Sequence, residues 1–190
     1  MLRLLLCALV ATMALVTAPR ADPNLAVALA QLRAGNDGAA RAAMDRIDDP
    51  VLVDVVLWHL LRGRKGTFTE GEAFLARNGD WPGLDLLQER MEAAIPADTE
   101  PARNLAFFDA HHPRTARGAL LYGTALMSRD RVTEAEAALI DVWLTRGMDA
   151  ASHAGFVEIF GEMLEPYHGA RLDALAWEGD VDSAERVLPL

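Results

Sequence analysis

The sequence predicts an all-α fold: a right-handed αα-superhelix over residues 22–190, behind a signal peptide at residues 1–21. Three observations carry this reading. Alanine and leucine dominate while aromatic residues make up only 6% of the chain, and both abundant residues lose little side-chain entropy in a helix. Apolar residues recur at helical spacing between short breakers rich in Gly, Asp and Pro. No pair of alternating runs flanks a hairpin turn. With 190 residues, 52% of them apolar, the chain is long and oily enough to bury a substantial core.

The first element is the leader. Arg3 supplies a positive start, and Leu4 to Val16 is an uncharged stretch too short to span a bilayer comfortably. Thr17, Ala18 and Ala21 are small. Cleavage after Ala21 leaves Asp22 as the new N-terminus, whereas Pro19 hinders cleavage after Ala18. An uncleaved anchor is the alternative. Cys7, the only cysteine, precedes most of the apolar stretch, which argues against a lipoprotein. The mature chain would have no thiol, so packing must stabilise it in an oxidising compartment. Removing the leader takes away Arg3 and Arg20 and no acid, moving the net charge from −10 to −12. That balance argues against nucleic acid or an anionic membrane surface as a partner, since both need clustered Lys and Arg.

Pro23 can open a helix running to about Ala34, with Gly35 past its end. A second helix covers about Gly38 to Ile47. A third, about Val51 to Arg62, is apolar nearly all round; its valines raise a strand alternative, but its length and Leu-rich second half favour a buried helix. After the basic loop Gly63–Gly66 comes a helix over about Glu70 to Arg77, with Thr69 as its expected N-cap. Asp80 is the expected cap of the next helix, whose first residues would be Trp81 and Pro82. Further helices are expected from about Pro101 to Ala110, Thr115 to Met127 and Val132 to Arg146. The stripe Phe156, Ile159, Phe160, Met163, Leu164 marks another, broken by Pro166. The last two cover about Ala170 to Trp177 and Val181 to Leu188.

Helix junctions at Ala34–Asn36, Ser128–Asp130 and Glu178–Asp180 are each followed by an alanine, at Ala40, Ala135 and Ala184. A small residue there lets the second helix lie close to the first. The pattern resembles the helical hairpins of tetratricopeptide-like arrays, although its spacing is irregular. Such units bury their apolar faces only by stacking on neighbours. The final helix carries the stripe Val181, Ala184, Val187, Leu188 and no polar cap. The expectation is that residues 22–190 form the N-terminal part of a longer protein; the alternative is that this helix folds back as its own cap.

No catalytic, cofactor-binding or metal-ligating residue is predicted. Asp109, His111 and His112 are the most tempting cluster, but adjacent helical residues point about 100° apart and a third ligand is missing. They read better as residues interacting with helix C-terminal carbonyls. His59 reads as a core histidine; His153 and His168 have no companion at ligand spacing. Glu70/Glu72 and Glu134/Glu136 lie two apart and so do not share a face. Ser128, Ser152 and Ser183 lack a nucleophile elbow. Trp58, Trp81, Trp143 and Trp177 could stack on sugar rings, but helical placement favours packing for each.

The string Phe74-Leu75-Ala76-Arg77, Asp80-Trp81-Pro82 and Leu87-Gln88-Glu89-Arg90 resembles the N-terminal superhelix of soluble lytic murein transglycosylases. So do Phe107-Phe108 with Pro113-Arg114-Thr115 and the Gly118–Ala125 helix. The same holds for Ala170-Arg171-Leu172-Asp173 with Trp177-Glu178-Gly179, Ala184-Glu185-Arg186 and Leu188-Pro189-Leu190. The resemblance covers about residues 70 to 190. It implies a periplasmic location and peptidoglycan as the partner, cut between N-acetylmuramic acid and N-acetylglucosamine to leave a 1,6-anhydro end. The family's catalytic Glu-Ser pair and its Gly-Leu-Met-Gln and Ala-Tyr-Asn motifs belong to a separate lysozyme-like domain and do not occur here. The implied role is a scaffold that positions the glycan strand, with other cell-wall proteins as further partners. The competing class is a stand-alone periplasmic protein-binding adaptor.

Overall fold

The computed structural model describes residues 22–190; the expected signal peptide lies outside the described residues. Among the described residues the chain is all-helical, with no strand. The helices are α1 (Pro23–Arg33), α2 (Asp37–Met44), α3 (Pro50–Arg62), α4 (Phe68–Arg77), α5 (Leu84–Ala94) and α6 (Pro101–Ala110). They continue with α7 (Ala116–Met127), α8 (Val132–Thr145), α9 (Ala150–Leu164), α10 (His168–Glu178) and α11 (Val181–Val187). None is long and apolar enough to cross a membrane.

Local chemistry sets the helix starts. Asp22, Asp49, Thr67, Thr115, Asp149 and Asp180 each accept from backbone N–H groups of the helix they precede. Two starts differ from expectation. Thr67, not Thr69, caps α4, because Glu70 reaches back to Thr67 N at 2.7 Å and completes a capping box. Asp80 caps nothing: Trp81 and Pro82 stay in the turn, and α5 begins only after Gly83, whose φ of 70° suits glycine. The break expected at Pro166 is present: α9 ends at Leu164, a 3-10 turn over Glu165–Tyr167 carries the proline, and α10 begins two residues earlier than expected. Ala40 and Ala135 are fully buried at their helix contacts; at the third junction Ser183 is buried instead of Ala184.

Successive helices pack in a chain of neighbours. α1 lies on α2 and α3, α3 on α5, α5 on α7, α7 on α8 and α9, and α8 on α10. One continuous core runs from Leu57 to Leu164, and a smaller one joins Ala28, Ala43, Ile47, Val56 and Leu60; Met44 packs against both. In α8, Ala135, Leu139, Val142 and Trp143 are buried, while Val132 is exposed. In α9, Phe156, Phe160 and Leu164 are buried and Ile159 is exposed.

At the centre, Glu92 of α5 is fully buried. Its Oε1 accepts from Arg114 N at 2.8 Å and Gln88 Nε2 at 3.0 Å; its Oε2 accepts from Thr115 N at 2.8 Å and Thr115 Oγ1 at 2.5 Å. Burial holds the carboxyl above the usual carboxylate range, and these four donors only partly oppose that shift. The approach needs Gly118, since a Cβ there would collide with the Glu92 carboxylate. Gly123 likewise lies where a Cβ would come within 2.9 Å of Leu139 of α8. By contrast, a Cβ on Gly38 of α2 meets nothing within 4 Å. Gly118→Ala is therefore expected to destabilise the fold by about 1–3 kcal/mol. Gly38→Ala, at a helical position with open space, is expected to stabilise it by about 0.5 kcal/mol. Urea unfolding followed by circular dichroism checks both; equal effects of the two substitutions would contradict the packing described.

Candidate functional site

Most polar residues that stood out in the sequence hold the scaffold together. Asp109 accepts from Tyr122 Oη at 2.8 Å and from Arg131 Nη1 at 2.9 Å. Burial and that contact push the Tyr122 phenol up to about 12. The His111 ring lies 5.3 Å from Phe107, and the carbonyls of His111 and His112 accept from Gln88 Nε2. Glu70 pairs with Arg41 at 2.5 Å, Glu72 with Arg103, and Glu134 with Arg131 at 2.7 Å. Ser128 donates to the Ala125 carbonyl, and Ser183 accepts from Arg186. Among the described residues, no group of three or more His, Cys, Asp or Glu converges in a way that could hold a metal ion.

Two expectations are corrected. His59 is exposed rather than part of the core. At 100° per residue, α3 turns Asp54, Val56, Leu57, Leu60 and Leu61 inward and leaves Val51, Val55, Trp58 and His59 on the other side. Trp177 is 93% exposed, so it is not a packing residue; Trp143 is fully buried, and Trp58 and Trp81 are half-buried.

The structure also gathers residues that the sequence keeps apart. A groove of about 360 Å³ runs from the loop after α3 across α5 to the starts of α7 and α9. Arg64, Arg90 and Arg117 line it, together with Glu89, Asp149 and Ser152. Among the described residues several other cations are paired with acids, as in Arg41–Glu70, Lys65–Asp37, Arg77–Asp54, Arg103–Glu72 and Arg114–Asp85. Among the described residues, Arg64, Arg90 and Arg117 form no ion pair with Glu89, Asp149 or any other acid. Asp149 is occupied in capping α9 through Ser152 N at 2.7 Å, and that contact holds its carboxyl below the usual range. Arg117 Nη2 donates to the Ile95 carbonyl at 2.9 Å, and Arg90 Nε is buried without a protein partner. Arg64 sits at φ 60°, a left-handed conformation that costs a non-glycine residue about 1 kcal/mol. The basic loop Gly63–Gly66 hinted at this site, but nothing in the sequence tied it to Arg90 and Arg117.

A second cluster surrounds Trp143. The rings of His153 and His168 lie 5.5 and 5.7 Å from it, and the Arg171 guanidinium lies 4.4 Å above it. Arg171 is 1% exposed and donates to the Trp143 carbonyl at the end of α8. Burial, then Arg171, Arg186 and His168, hold the His153 imidazole below the ordinary histidine range. A lowered folded value makes the neutral ring the stabilising form. Its contribution is complete above the unfolded value of about 6.5 and is lost as pH falls through the folded value. His153→Phe, which keeps a ring against Trp143, is expected to flatten the fall in stability between about pH 7 and pH 5. Urea titrations at several pH values measure this; an unchanged slope would rule out His153 as its source.

The fold and these sites define an all-α protein with a basic surface groove. Comparison with protein-family models, with curated protein sequences and with solved structures finds no match.

Proposed function

We propose that residues 22–190 are the helical scaffold of an exported lytic transglycosylase that cleaves the MurNAc–GlcNAc bond of peptidoglycan, with the lysozyme-like catalytic domain elsewhere. In this reading the helices form a right-handed αα-superhelix, supported by the contact order α1–α3–α5–α7–α9. The observation that carries the reading is the groove of Arg64, Arg90 and Arg117, which crosses successive helices and whose three guanidinium groups form no ion pair among the described residues. Such a groove suits an extended ligand that bears carboxylates at intervals, and a glycan strand with peptide stems has that chemistry. The motifs over residues 70 to 190 supply the family. Trp177, Val181 and Leu188, exposed on the last two helices, are in this reading the surface on which a further element stacks. The same apolar surface favours the second reading, a periplasmic protein-binding adaptor.

Sedimentation with purified, insoluble peptidoglycan separates the two. The scaffold is expected to pellet with the sacculi at low salt and to be released as salt rises, because its contacts are charge pairs. It is expected to release no soluble muropeptides. An adaptor would stay in the supernatant. Arg64→Gly gives a sharper test: relief of the left-handed strain is expected to raise stability by about 1 kcal/mol, while retention on sacculi falls. A variant that is more stable and equally well retained would remove Arg64 from the proposed contact.

A further inference from the structure

The turn before α5 builds a second surface that the arginine groove does not use. Trp81, Pro82 and Asp80 face Val55, Trp58 and His59 of α3 across a shallow groove of about 360 Å³. Both indoles are held in place from behind. Trp58 Nε1 donates to the Pro82 carbonyl at 3.0 Å, and the Arg62 guanidinium lies 4.3 Å from its ring centre. Trp81 meets the fully buried Phe74 edge-on at 5.3 Å and 87°. The two rings therefore offer half-buried aromatic surface at little entropic cost. Asp80 and His59 are exposed at the rim, and among the described residues neither side chain makes a hydrogen bond or ion pair. Aromatic faces suit the C–H face of a pyranose, while a carboxylate acceptor and an imidazole suit its hydroxyl and amide groups.

We propose that this groove is a subsite for a neutral, N-acetylated pyranose of a glycan chain, stacked on Trp58 and Trp81 and hydrogen-bonded by Asp80 and His59. A proline-rich peptide is the other ligand that paired tryptophans accept. Its prolines carry no N–H to donate to the Asp80 carboxylate, whereas the hydroxyl and amide groups of the sugar do, so the sugar is favoured. The proposal stands apart from the arginine groove, because an uncharged sugar makes no use of those cations.

Calorimetric titration of residues 22–190 with chitotetraose, an uncharged N-acetylglucosamine oligomer, tests it. Saturable binding at millimolar sugar is expected, weakened about tenfold by Trp81→Ala and less by Asp80→Ala. Asp80 has no partner to lose, so its variant keeps the proposal testable should Trp81→Ala unfold. Arg90→Ala is expected to leave chitotetraose binding unchanged. Absence of binding, binding insensitive to both groove variants, or tighter binding of a proline decapeptide would overturn the proposal. Chitotetraose binding without retention on sacculi would sink the scaffold reading and leave this one standing. Retention without chitotetraose binding would do the reverse.

Discussion

The middle of the molecule depends on one buried carboxylate. Glu92 gives up all contact with water and receives four hydrogen bonds, two of them from the backbone where α7 begins. A helix start left unpaired inside a protein costs about 1–3 kcal/mol per group. Glu92 therefore fixes the α6–α7 turn onto α5, and Gln88, one helical turn earlier, fixes the end of α6 through the His111 and His112 carbonyls. Two side chains on one helix thus tie down both ends of the connection that follows it. Without Gly118 the carboxylate could not approach, so the position of α7 depends on an acid and a missing methyl group.

The same device recurs along the chain. Arg171 of α10 reaches the carbonyls of Trp143 and Arg146 at the end of α8, Arg117 of α7 reaches Ile95 after α5, and Arg186 of α11 reaches Met148. Cations near helix C-termini complement partial negative charge there. In a chain with excess acid this use is informative: several arginines serve as caps for a neighbouring element rather than as ion-pair partners. Arg171 is the extreme case. It is buried without a carboxylate and leaves Nε and Nη2 without protein partners, which makes the α8–α10 contact costly as well as specific.

Helix existence was legible in the sequence because it rests on local chemistry: spacing of apolar residues, aspartate and threonine caps, and proline at first turns. The errors fall where chemistry acts over distance. Thr67 and Thr69 each stand three residues before a glutamate, but Glu70 folds back onto Thr67 while Glu72 is drawn to Arg103 of α6. Trp81 and Pro82 read as a helix start, yet Gly83 adopts a left-handed conformation and holds them in the turn. The all-round apolar character of α3 is visible in the sequence and predicts a buried helix. In the structure one side of that helix fills the core, while Val55 and Trp58 face the loop at Asp80–Pro82. The surplus of apolar residues over what one buried face requires was the signal for a surface groove. The arginine groove left no comparable signal, because its members come from the loop after α3, from α5 and from α7.

Net charge is a poor guide to what such a groove attracts. The acidic balance of −10 argues against nucleic acid, which requires many phosphates to be neutralised at once. It says little about a ligand that offers a few carboxylates, because at physiological salt a charge is felt over only about 8 Å. What matters is which carboxylates lie in the same groove and whether they are engaged. Asp149 is engaged with the start of α9, which leaves Glu89 as the one nearby carboxylate without such a task. The groove is therefore locally basic on an acidic molecule. That arrangement admits carboxylates spaced along a ligand at short range, whatever the net charge of the molecule.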